Sequence, residues 1–201
     1  MFNAISYFKR SFERIDNIDT LYLHLVDTLS FNSSDLEDLL RSQVVYSVSA
    51  FDKLVHDLTL AGMLEILNNQ RAPTAKYLQF PITVNIYNQL GSMSTEILFK
   101  SHIQQSHKHL SFQDPDKVSE ALSLFWDEEH KWQKIATHLS KDQKNLKIEL
   151  KNIVFRRNQI VHESDIELST GNTQRVERVD ARRSVDFIKN LGESIYDLVK
   201  L

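Results

Sequence analysis

The sequence predicts an all-α protein, and three observations carry that expectation. Glycine and proline are scarce, four and three in 201 residues, too few for the many turns of a sandwich or barrel. Apolar residues recur every three or four positions along most of the chain, the period of a helix with one buried face. The composition, 41% hydrophobic and 25% charged, is that of a globular chain able to bury a core. One helical domain over 1–201 is expected, with an N-terminal helix in 1–33 and a core bundle of four to five helices plus a C-terminal packing helix in 34–201.

The first helix is read from Ile5 to Leu29. SFNSSDLED then stops the chain and restarts it, with Ser33 or Ser34 as cap and Glu37 available for a capping box. In the second helix Val44, Val48, Phe51, Val55 and Leu58 form a stripe that continues through Met63 and Ile66 and stops before Ala72-Pro73. A third helix is expected from Thr83 to His109, with Gly91 its one weak point. Pro115 opens a fourth that runs to Trp126, and a helical pattern spans Glu128 to Leu139. Ser140 is the expected cap of a fifth helix, whose apolar side is Leu146, Leu150, Ile153, Val154, Ile160 and Val161 and whose end is His162. A polar loop from about Glu163 to Val179 follows, turning at Ser169, Thr170, Gly171 and Asn172. Val185, Ile188, Leu191, Ile195 and Leu198 then define the last helix.

Several function classes are excluded early. With no cysteine there is no disulfide framework, thiolate zinc site or cysteine nucleophile. No Gly-rich phosphate loop and no nucleophile elbow occurs, and no cofactor is called for. MFNAISYFKRSF has neither the basic start nor the apolar stretch of a secretory signal, and no eighteen apolar residues run together, so a cytoplasmic location without membrane contact is expected. Of His102, His107 and His109, the last two lie on different helix faces and no nearby Asp or Glu completes a set, so they make a poor metal site. Trp126 and Trp132 read as packing anchors.

The formal charge of −3 argues against a general nucleic-acid coat, but it is unevenly spread: residues 1–140 hold twelve Lys and Arg against seventeen Asp and Glu, residues 141–201 twelve against ten. The arginines of the last part flank FRRNQIVHESD, residues 155–165. Asn158 and His162 are one helical turn apart on one face, whereas Arg157 and His162 diverge by about 140°. Both reach one groove if the helix end projects into a cleft, with Asn158 placed to fix the imidazole tautomer. Arginine offers a planar fork of donors to phosphate and histidine exchanges a proton near neutrality. RNA cleavage without a metal needs those two functions. A base and an acid acting together come most simply from two copies of His162 in a symmetric dimer. The bland reading is a cationic C-terminal helix end complementing the dipole. Glu163 and Asp165 either raise the histidine pKa by proximity or simply open the loop.

The frame IVFRRNQIVHESD, with Arg157-Asn158 and His162 as an Arg-x4-His motif, resembles the HEPN superfamily, and within it the subgroup associated with ribonuclease L and prokaryotic stress systems. SQVVYSVSAFDKLVHDLTL, 42–60, is similar to that family's first core helix. The resemblance implies a metal-independent endoribonuclease in which Arg157 and His162 are catalytic and Asn158 supports them. It further implies a homodimer with a composite active site, an RNA substrate, and a role as toxin or antiphage effector with an antitoxin or defence-system partner. Asp52, in the polar stripe Ser49-Asp52-His56, either orients Arg157 or His162 or pairs with His56 on a solvent face. Arg156 is a candidate second phosphate contact, and Arg175 and Arg178 are candidates for steering RNA. The alternative function is a non-catalytic RNA- or nucleotide-binding module, or an interaction subunit of a larger assembly.

Overall fold

The fold, described for residues 1–91, 94–166 and 171–201 by a computed structural model, is an all-helical bundle. The elements are α1 (Phe2–Leu23), α2 (Glu37–Leu67), α3 (Ala75–Leu78), α4 (Val84–Gln89), α5 (Thr95–His107), α6 (Pro115–Leu122), α7 (Lys131–His138), α8 (Gln143–His162) and α9 (Arg178–Val199). An isolated antiparallel bridge joins Ile166 and Thr173, and among the described residues no helix is long and apolar enough to cross a membrane.

The apolar stripe of α2 is the axis of the core. Val48, Phe51, Val55 and Leu58 are wholly buried, packed in one cluster with Phe8, Phe12 and Ile15 of α1, Leu146 and Leu150 of α8, and Val185, Ile188, Leu191 and Ile195 of α9. Burying such side chains is worth about 1.5–3 kcal/mol each. α1 therefore belongs to this core. Two glycines allow close approach: a Cβ on Gly62 would stand 2.2 Å from the Phe125 ring, and one on Gly192 2.4 Å from Phe8.

Boundaries differ from the sequence expectation where local chemistry overrides periodicity. α1 ends at Leu23 and a π-type turn, His24–Thr28, carries the chain on. Asn32, rather than a serine, accepts the Ser34 amide and starts a 3₁₀ turn over Ser33–Leu36 that leads into α2. The expected helix from Thr83 to His109 is two helices, because Leu90 is extended and Gly91 sits at φ +92°. α6 stops at Leu122, and a tight turn delivers Phe125 and Trp126 to the core. Ser140, at φ +53°, terminates α7; the cap of α8 is Asp142, whose carboxylate accepts the Asn145 amide at 2.9 Å. α9 begins at Arg178, so that residue is helical. Gly171 has the left-handed conformation expected of its turn; Ser169 and Thr170 of that turn lie outside the described residues.

Candidate functional site

α8 buries Leu146, Leu150 and Ile153 and brings its last turn to the surface beside the N-terminal half of α2. Successive helical residues point about 100° apart, so Arg156 and Arg157 leave the helix in different directions. Arg156 turns to Asp165: both its Nη atoms donate to that carboxylate, and Nη1 also donates to Gln174 Oε1 at 2.9 Å.

Asp165 is 1% exposed and takes a second cation, the Arg41 Nε at 2.7 Å. Arg41 reaches further, to Glu37 at 2.8 Å, Asp38 at 3.1 Å and the Gln174 carbonyl at 2.5 Å. Burial alone would lower the Arg41 pKa, but the hydrogen bonds it donates to Asp165, Glu37 and Asp38 outweigh it and hold the guanidinium above its ordinary value. The turn that presents Asp165 is strained, since Ser164 and Asp165 stand at φ +53° and +58° without being glycine. It is held by the Asp165 amide donating to Gln159 O at 3.1 Å and by the Gln174 amide donating to Asp165 O at 2.7 Å. The end of α8 is thereby clamped to α2.

Arg157 has no such anchor. Its Nη1 donates to Asn158 Oδ1 at 3.0 Å, its Nε is buried without a partner, and among the described residues no carboxylate pairs with it. An arginine in that state retains unused donors for a planar anion. His162, the last residue of α8, is exposed and among the described residues makes no hydrogen bond or ion pair. The arrangement can therefore offer an oxyanion a fork of donors and a proton-exchanging imidazole from one helix end.

The remaining sequence candidates fall elsewhere. Asn158 uses its carbonyl oxygen on Arg157, not on the imidazole. Asp52 accepts the Phe112 amide at 2.6 Å and lies 4.0 Å from His56, so it fastens the loop before α6 rather than orienting Arg157 or His162. Arg156 is consumed by Asp165, which leaves it poorly suited to a phosphate. Arg178 grips Asp19 with Nε at 2.9 Å and Nη2 at 2.6 Å, a structural link between α9 and α1. Arg175 is exposed and, among the described residues, has no partner. His102 and His107 belong to a cluster of rings with Phe80, His56 and Phe112.

With this geometry in view, the RiboL-PSP-HEPN family model matches residues 9–201. The chain belongs to the RiboL-PSP-HEPN family. No curated protein and no solved structure matches it. The family match reaches into α1, whereas the resemblance visible in the sequence began near Ser34. The polar clamp of Arg41 and Asp165 was missed by sequence reading. The helical spacings Glu37-Arg41 and Asp38-Arg41 were available as a signal, but the third partner lies 124 residues away.

Proposed function

We propose that the chain is a metal-independent endoribonuclease that acts on single-stranded or loop RNA as a homodimer. The observation that carries this reading is the unequal treatment of neighbouring cations: Arg156 is spent on Asp165, while among the described residues Arg157 has no carboxylate partner and His162, at the end of the same helix, has no partner. Family membership supports an RNA-directed or nucleotide-binding role and leaves the chemistry to these residues.

In the proposed reaction the 2′-oxygen attacks the adjacent phosphorus as its proton passes to one His162 imidazole. The P–O5′ bond breaks and the leaving oxygen takes a proton from a second imidazole, giving a 2′,3′-cyclic phosphate and a 5′-hydroxyl. Arg157 neutralises the charge that grows on the phosphoryl oxygens, and Asn158 holds the guanidinium through its Nη1. Arg175 steers RNA toward the cleft. The second imidazole comes from a second copy. Ile148, Phe155 and His162 recur at intervals of seven along α8, and Ile148 and Phe155 are 45% and 63% exposed, an apolar stripe suited to a twofold partner. The physiological setting we read is a toxin or antiphage effector restrained by a partner protein.

The test is incubation of the purified protein with labelled RNA in excess chelator, beside His162→Ala and Arg157→Ala. Cleavage to cyclic phosphate ends that both substitutions abolish supports the reading. RNA binding without cleavage by the parent protein overturns it in favour of a binding module.

A further inference from the structure

A sizeable groove lies outside the motif. It runs between α1 and α2, has a volume of ≈ 620 Å³, and is lined by Ser11, Arg14, Ile15 and Ile18 on one side and Tyr46, Ser49 and Lys53 on the other. A second cleft of ≈ 510 Å³ begins where this one ends: Tyr46 lines both, and the second continues past Ser42 and Val45 to Ile160 and Ser164 at the end of α8. From Ser42 to Lys53, α2 rises roughly 17 Å. Joined at Tyr46, the two clefts make one track that reaches Ile160 in the last turn of α8, the turn that ends in His162.

The charges on α1 are segregated about this track. Of its three acids, Asp16 and Asp19 are turned to α9, where Arg182 and Arg178 neutralise them, and the exposed Glu13 does not line the groove. Arg14 lines the groove, exposed and, among the described residues, without an acidic partner. Lys53, across the groove, shares an exposed ion pair with Asp57, a link worth little in water. At the junction the Tyr46 ring is 54% exposed and, among the described residues, meets no other ring. Cations spaced along a groove with an open aromatic face suit a polyanion carrying flat bases. Asp38 rims the far cleft, but it and Asp165 are paired with Arg41.

We infer that this track is a binding site for single-stranded RNA flanking the scissile phosphate, with a base against Tyr46 and phosphates at Arg14 and Lys53. The inference rests on the ribonuclease reading for its direction, but it concerns binding and is tested separately. The competing occupant of an amphipathic groove is a second copy of this chain.

The experiment measures binding of a fluorescent single-stranded RNA of about twelve nucleotides, and of a dinucleoside phosphate, to the His162→Ala protein at several salt concentrations. Tyr46→Ala, Arg14→Glu and Lys53→Glu are each compared in that background, with Arg183→Glu on α9 as a charge control away from the groove. All four positions are exposed, and circular dichroism with thermal melts verifies folding. Tyr46→Ala is expected to weaken the long RNA about five- to hundredfold. Arg14→Glu and Lys53→Glu are each expected to reduce the salt slope by about 0.7 or more, with a defect that grows with RNA length, and Arg183→Glu to do neither. Groove variants that bind long RNA as tightly as their parent overturn the inference, as does a shift of association state in light scattering, which would assign the groove to a second copy. Cleavage by the wild-type protein is scored independently. An inactive protein whose RNA binding still fails in the groove variants sinks the ribonuclease reading and supports the track, and active cleavage with silent groove variants does the reverse.

Discussion

Arg156 and Arg157 are adjacent in sequence, have the same side chain, leave the same helical turn and are both half-buried, yet one is paired with a carboxylate and the other with an amide. Arg156 meets a carboxylate that is itself fixed by Arg41 and by a left-handed turn. Arg157 meets only a neutral amide oxygen. The same division separates two histidines: His107 is buried among Phe80, Phe112 and His56, while His162 is exposed at a helix end and, among the described residues, has no partner. Residue type alone does not confer a role; the partner supplied by distant chain does. A charge neutralised inside holds the bundle, and a charge left unpaired is available to a ligand.

The sharpest way to break this contrast is to remove the free pair. His162→Ala and Arg157→Ala are each expected to lower RNA cleavage by about 10²–10⁴-fold with melting temperatures close to the parent. Arg157→Lys retains the charge but loses the planar fork, and should recover only part of the rate. If Arg156→Ala abolished cleavage while leaving the melting temperature unchanged, the assignment of the two arginines would have to be exchanged.

The complementary substitution attacks the clamp. Asp165→Ala leaves the buried Arg41 and the half-buried Arg156 without their shared counter-ion, a kind of loss that costs about 3 kcal/mol. For a chain of this size that corresponds to a fall of roughly 6–12 °C in the thermal midpoint. The expected signature is the inverse of His162→Ala: a large stability loss, with cleavage per folded molecule reduced only insofar as the end of α8 is misplaced.

A smaller effect is expected at the ion pair between α1 and α9. Burial pushes the Asp19 carboxyl upward, but hydrogen bonds and charge from Arg178, with help from Arg182, outweigh it and hold the pKa below the usual aspartate value. A depressed folded pKa stabilises the fold above the unfolded value of about 3.9, and that contribution is lost as pH falls through the folded value. Arg178→Ala should therefore cost about 1 kcal/mol at pH 7, modest because the arginine is partly exposed. Urea melts at pH 7 and near pH 3 check the sign: the gap between parent and variant should narrow in acid. An unchanged gap would mean that Arg178 contributes through packing instead.

Much of this architecture was legible in the sequence, for reasons particular residues make plain. Val44, Val48, Phe51, Val55 and Leu58 repeat with the helical period and are all at most 4% exposed; Val185, Ile188, Leu191 and Ile195 repeat in the same way and are wholly buried. Periodicity reports burial, and burial decides helix packing. What it does not report is where a helix stops, since that depends on single caps: Asp142 displaced Ser140, and Gly91 split a helix. At the site, Arg157, Asn158 and His162 were visible as a local pattern. The fate of Arg156 was not, because its partner is presented by a strained turn and stabilised by Arg41 from the far part of the chain. Arg178 misled for a related reason. It read as a loop cation, but α9 begins at Arg178, about two turns before the first residue of the apolar pattern, Val185, and aims it at Asp19.

The smallest expected effect concerns the buried member of the histidine pair. Burial, and then the charges of His56 and His102, hold the His107 pKa below the ordinary value of 6.5. Phe80 and Phe112 pack on its ring, and the acids near its cavity are Asp57, which pairs with Lys53, and Asp52, which is occupied by the Phe112 amide. The folded state therefore favours the neutral imidazole, and the unfolded chain binds more protons once the pH drops below about 6.5. This contribution is fully present above that value and is lost as pH falls toward the folded pKa. His107→Phe should flatten the part of the stability curve just below about pH 6.5, measured by urea melts, because the ring neighbours remain satisfied while the titrating group is gone. His162→Ala is the contrast: it should remove cleavage and leave the His107 step in place. A His107→Phe protein whose stability still falls as steeply over that window would show that the acid-sensitive group lies elsewhere.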